Sequence, residues 1–160
     1  MRTGGNVGMR FGLFMAVLLL WVVPGSVRAE ECVLGPRVSC AGVDLSQREL
    51  RRADLAGADL AGADLSGSDL READLYRTNL AGANLSGADL RNAILNRSDL
   101  SGADLSGARL DDAQIRGAKL EGADLTEADI SRLEMSYAEL GGATWVDGRI
   151  CAEGSLGVCK

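Results

Sequence analysis

The sequence predicts an all-β solenoid, a rod made of one short unit that turns repeatedly upon itself. Three observations carry that expectation. Apolar residues recur at every fifth position over 22 steps from Leu45 to Ile150, with Leu at 17 of them and Ile115, Ile130, Met135, Trp145 and Ile150 at the others. Ala stands two residues before the step position in 15 of the 22 units, and Asp or Asn mostly lies between the two. The composition suits a narrow core, with 21 Gly and only 4% aromatic residues. A five-residue step turns about 500° on an α-helix, which would scatter the leucines around the axis. On a strand an odd step flips the side chain to the other face. The apolar row stays on one side only if the chain turns once per step. Ala and Leu then point inward from a short extended segment, the Asp or Asn points out, and the next two residues make the corner. Repeats of such short period stack into solenoids, each coil burying its apolar side against its neighbours.

The unit reads A-D-L-x-G, as in Ala58-Asp59-Leu60-Ala61-Gly62. It resembles the pentapeptide-repeat family, whose motif is A-(D/N)-L-x-x, over residues 43–150. That resemblance implies a right-handed quadrilateral β-helix with four pentapeptides per coil, so 22 steps make about five coils. At a strand spacing of roughly 4.8 Å the rod is on the order of 25 Å long.

The elements follow in order. Residues 1–29 have the pattern of a secretory signal peptide: Arg2 and Arg10, then the apolar run Phe11 to Val23, then Pro24-Gly25 and a small-residue cleavage site at Val27-Arg28-Ala29. The run is short for a bilayer span. Cleavage would leave no inserted segment and place the protein in the periplasm or outside the cell. Residues 30–42 form an N-terminal cap with Cys32 and Cys40, and residues 151–160 a C-terminal cap with Cys151 and Cys159. Four cysteines allow three pairings. A rod tens of ångströms long keeps the ends apart, and bridged Cα atoms lie within about 7 Å, so the expected bonds are Cys32–Cys40 and Cys151–Cys159. These loops would close the open ends of the solenoid, whose apolar residues and unpaired backbone invite association. Within the solenoid, residues 43–150, Arg48 occupies an inward position, which places the start of the regular core at Ala53. Near the other end Leu133 and Met135 widen the core and Trp145 plugs it. The column Gly62, Gly82, Gly102, Gly122 and Gly142 marks one corner and is explained by turn geometry.

The surface is acidic. The whole chain carries a net charge of −6. A basic face for nucleic-acid phosphates is therefore not expected. Residues 20 apart should stack. The columns Glu49, Asp69, Asp89, Arg109, Asp129 and Arg51, Arg71, Arg91, Asp111, Ser131 predict acid–Arg pairs along single segments, with Asp89–Arg109 and Arg91–Asp111 pairs between coils. A third face should gather Tyr76, Arg77, Ile94, Arg97 and Arg116, with Ile94 apolar where Asp normally points out. Aromatic, apolar and Arg side chains together are what interfaces favour.

No enzyme is expected. The chain has no His, its carboxylates are periodic rather than paired in a pocket, and no catalytic, cofactor or metal residue stands out. A filled solenoid also leaves no cavity of ligand size. Two functions compete. The first is an exported, monomeric, non-enzymatic scaffold or binding module for a protein or envelope component. The family resemblance supplies the second, an acidic DNA mimic that binds DNA gyrase or another topoisomerase; the leader, the cysteine-closed C-terminus and the scarcity of Phe at the step positions disfavour it.

Overall fold

The structure is a computed structural model, and it describes residues 27–28 and 32–160. The apolar run Phe11 to Val23, with most of the segment read as a leader, lies outside those residues. Val27 and Arg28, the last part of that segment described, form strand β1. It runs parallel to β2, Val43–Asp44, with Val27 opposite Val43 and Arg28 opposite Asp44.

From residue 39 onward the chain winds as a solenoid with 20 residues per turn. Parallel bridges join Ser39 to Asp59, Asp44 to Asp64, Glu49 to Asp69 and Asp54 to Asp74, and so on up the rod to Asp124–Thr144. The expected extended segments exist, but they are too short to count as strands. Each contributes a single bridged residue, which pairs with the coils below and above, and then turns.

The sequence explains each part of the unit. Leu65 donates its N–H to the Asn84 carbonyl at 2.7 Å, and Asn84 donates back to the Ala63 carbonyl at 2.9 Å, so neighbouring coils are tied along every face. Each corner closes with a bond of the Ala63 N–H to Leu60 C=O kind, 3.0 Å. The third residue of that turn has a positive φ, as in a type II turn; Gly62 stands at +65°. The Asp or Asn between Ala and Leu has a task of its own. Its Oδ1 accepts the N–H two residues on, as Asp64 does from Ser66 at 3.0 Å. The corner residue before the Gly thus finds a partner that the coil above cannot supply.

Leu and Ala fill the axis, and the leucines from Leu55 to Leu110 are fully buried. Ser68, Thr78 and Ser98 take Ala positions and are buried too. Their hydroxyls donate to the carbonyls of Leu65, Leu55 and Leu95 at 2.7–2.8 Å, which removes the cost of burying a polar group.

Both limits of the core differ from the sequence expectation. The core begins before Ala53: Val43 and Leu45 are buried, and Arg48 simply leaves its inward position and is exposed. At the other end Trp145 is buried as the plug, but Ile150, in register with the leucines, is 62% exposed. The cause is a tight reversal at Val146-Asp147-Gly148. Gly148 has φ +81°, and Trp145 accepts the Gly148 N–H at 2.8 Å and donates to Arg149 at 2.7 Å. The tail then returns antiparallel, with Thr144 opposite Ile150 and Glu139 opposite Leu156. Cys32 and Cys40 stand at disulfide distance with Cα atoms 5.8 Å apart, as do Cys151 and Cys159 at 4.8 Å.

Candidate functional site

Four outer faces and four corners exist, because each coil has four units. The face carrying Glu49, Asp69, Asp89 and Arg109 is an ion-pair lattice. Arg71 reaches Asp69 at 2.5 Å and Asp89 at 3.8 Å; Arg91 reaches Asp89 at 2.6 Å; Arg109 reaches Asp89 at 3.9 Å and Asp111 at 4.0 Å. One expected pair is replaced and a second does not form. Arg51 turns to Glu72 on the next corner instead of Glu49, and Arg91 stays with Asp89 instead of crossing to Asp111. The reason is reach: a long guanidinium can choose among three columns. The hydrogen bond from Arg71 pulls the Asp69 carboxyl down to about 2, and that from Arg91 lowers Asp89. Such exposed pairs are worth about 0–1 kcal/mol each.

The corner beside that face neutralises itself as well. Arg52 pairs with Glu72 at 2.7 Å, and Arg132 with Asp112 at 2.7 Å, both one coil apart. Where Asp columns would stack like charges, Asn intervenes: Asn79 donates to Asp59 at 2.8 Å and Asn84 to Asp64 at 3.2 Å.

The remaining face behaves differently. Asp54, Asp74, Ile94, Gln114 and Glu134 form its strand column, so half-buried Ile94 stands between Asp74 and Gln114. Tyr76 sits beside it, its N–H held by Asp74 Oδ1 at 2.9 Å. The Arg77 guanidinium lies 5.2 Å from the Tyr76 ring centre, a cation–π contact. Arg97 stacks one coil above Arg77 by the 20-residue register. Arg116 is set apart. Asn96 stands between it and Tyr76, accepting the Arg116 N–H at 2.8 Å, and its guanidinium turns to Glu134 at 3.8 Å.

Arg77 and Arg97 have φ of 57° and 61°. A residue with a Cβ is strained there by roughly 1–2 kcal/mol relative to Gly. Gly57 and Gly117 occupy the same corner one coil below and one coil above them. Neither arginine forms an ion pair with any described residue.

Two neighbours escaped the sequence reading. Arg37, within the N-terminal cap, stands on the same corner and lies across Gly57, where a Cβ would come 3.4 Å from its Cγ. Tyr137, 74% exposed, ends the corner at the top. The signal for both was the 20-residue register, extended one coil into each end.

At the C-terminal end a shallow depression is lined by Glu121, Glu139, Gly141 and Glu153. A hydrogen bond with the Glu121 carboxyl raises the Glu139 carboxyl above its ordinary value. It holds no buried polar group that calls for a ligand.

Comparison with known proteins agrees with this architecture. The family model described as pentapeptide repeats, with 8 copies, matches residues 39–75, 73–112 and 108–144. No curated protein matches the chain. Among solved structures, a pentapeptide repeat protein (Rfr23) from the cyanobacterium Cyanothece 51142 superposes with a TM-score of 0.66 at 29% identity, over 68% of this chain and 88% of that one. A second, alr5209 from Nostoc Pcc 7120, gives 0.50 at 41% identity, over 51% of this chain and 67% of that one. QnrB1, a plasmid-mediated fluoroquinolone resistance protein, gives 0.40 at 19% identity over 72% and 67%, too loose a superposition to bear on function. A motif that holds its register through the bridged coils, and a family match that spans most of that rod, make the chain a member of the pentapeptide-repeat family, with its right-handed β-helix.

Proposed function

We propose that this chain is an exported, monomeric, non-enzymatic binding module. In it about five coils, closed at each end by a disulfide loop, present the Tyr76–Ile94 face to a protein or envelope component. One observation carries the reading. Along the 20-residue register, aromatic Tyr76 and apolar Ile94 come to one face beside Arg77 and Arg97, which have no ion-pair partner among the described residues, while the neighbouring face and corner form ion pairs of their own. Tyr and Arg are the residues that dominate binding energy at interfaces. Export is supported by the leader-like pattern of residues 1–29 and by cysteine pairs at bonding distance, which persist in oxidising compartments.

The test is a photo-cross-link. Ile94→p-benzoyl-phenylalanine should capture a defined partner in the envelope fraction, and Ile94→Asp with Tyr76→Ala should abolish its association with the otherwise native chain. A partner retained by that double variant removes the face from consideration. Protein found in the cytosol with its leader intact and its thiols free would remove the export reading.

A further inference from the structure

We propose that the corner ridge of Arg77 and Arg97 binds an extended acidic segment of a protein partner, with Tyr76 and Ile94 alongside. This rests on the reading of that face as an interface and adds the charge and form of what docks there.

The contrast between corners supports it. All four corner positions demand left-handed backbone. One corner meets the demand with Gly from Gly42 to Gly142. The corner of Arg52, Glu72, Asp112 and Arg132 uses charged residues and neutralises them by pairing coil to coil. At Arg77 and Arg97 two cations stand one coil apart, about 4.8 Å at the backbone, and no described carboxylate pairs with either. The fold gains no ion pair from them among the described residues, only the contact of Arg77 with the Tyr76 ring. Gly fits the same column at Gly57 and Gly117, and the sequence contains 23 acidic residues from which a neighbour could have come. Other corner residues such as Arg52, Glu72 and Arg132 bear the same left-handed φ, so what sets Arg77 and Arg97 apart is the lack of a carboxylate partner among the described residues.

The chemistry selects the ligand. Guanidinium forks match carboxylates in two parallel hydrogen bonds. The ridge is straight and runs along the rod. A strand laid beside it would present same-side carboxylates about 6.6–6.8 Å apart, within the splay of two long side chains that start one coil apart. Arg77 is already held over the Tyr76 ring, and Ile94 offers an apolar contact to the residue between two acids. Two guanidiniums on a chain of net charge −6 fall short of the extended basic face that a nucleic acid or an anionic membrane needs.

The probe is a fluorescein-labelled peptide of alternating Glu and Phe, with a Gln/Phe twin, titrated against the disulfide-bonded chain and followed by anisotropy. The acidic peptide should bind, and the neutral twin at least tenfold more weakly. Arg77→Gln with Arg97→Gln should weaken binding at least tenfold. Arg52→Gln with Arg132→Gln removes the same charge from the self-paired corner and should change it less than twofold. Equal loss in both double variants, no binding by the wild-type chain, or tighter binding of phosphatidylglycerol vesicles or oligo-dT would each overturn the proposal. The Ile94 cross-link separates the two readings. A captured partner whose cross-linked segment carries no acids leaves the interface in place and sinks the acidic ligand; absence of any cross-link sinks both.

Discussion

Position within the five-residue unit decides what a side chain can do. Leu85 is fully buried among other leucines in a column with no slack, so Leu85→Ala should cost about 2–5 kcal/mol, read as a lower midpoint in urea. Gly82 is a sharper probe of the corners. A Cβ there meets nothing within 4 Å, yet φ is +66°. Any loss in Gly82→Ala is then backbone strain alone, about 1–2 kcal/mol. The reverse applies on the ridge. Arg97→Gly should stabilise the chain by about 1 kcal/mol while weakening the acidic peptide, a trade between stability and binding measured by Tm and anisotropy on one variant. At this scale the sequence was informative wherever the backbone decides. The Ala and Leu positions follow from period alone. Arg91 pairs with Asp89 along its segment as expected, but the turn of Arg51 to Glu72 and the lack of an Arg91–Asp111 pair did not follow, because flexible cations choose among several columns of similar distance. Ile150 misled because a register match says nothing about a reversal downstream; Asp147-Gly148 was the turn signal that outranked it.

The ion-paired face should respond to pH, and the end loops, if closed by the proposed disulfides, to redox state. Asp69 has its carboxyl lowered to about 2 from an ordinary 3.8, and Asp89 is lowered in the same sense by Arg91. A depressed folded-state pKa gives stability that is present above pH 4 and lost as pH falls through about 2. Glu139 is shifted the other way by Glu121. Its ionised form is disfavoured in the folded chain, so the cost is present at neutral pH and vanishes on acidification. Glu139→Gln should therefore raise Tm at pH 7 and leave it unchanged at pH 3, while Asp69→Asn should lower Tm at pH 7 and do little at pH 2. Thermal melts across that range check both signs. For the C-terminal loop, reducing Cys151–Cys159 should lower stability by about 2–3 kcal/mol, as expected for closing so short a loop. The return strand opposite Thr144 and Glu139 should be the first segment to exchange its amide hydrogens.

For the whole molecule, contacts repeat at 20 residues and each coil touches only its neighbours, so stability accumulates coil by coil. Removing residues 101–120 should leave a folded, cooperative rod with a lower Tm and the Tyr76–Arg97 face intact. Removing 12 residues from the same place puts corner residues such as Gly122, Glu127 and Arg132 into the Leu column and should abolish folding, seen by circular dichroism and urea titration. The architecture was legible from the leucine register because one unit is written over and over. The proposed interface was legible in part. Ile94 and Tyr76 stood out as breaks in the pattern, but that no described carboxylate pairs with Arg77 or Arg97 is visible only when all four corners can be compared in space.

The backbone bonds between coils, such as Leu75 to Ile94 at 2.8 Å and Arg77 to Asn96 at 3.1 Å, have a consequence for recognition. They make the rod a graduated scale. The interval between successive arginines is set by main-chain geometry that no loop motion can stretch. A partner of the proposed kind would have to match that interval to engage both marks, so selectivity would be exercised through length as well as charge.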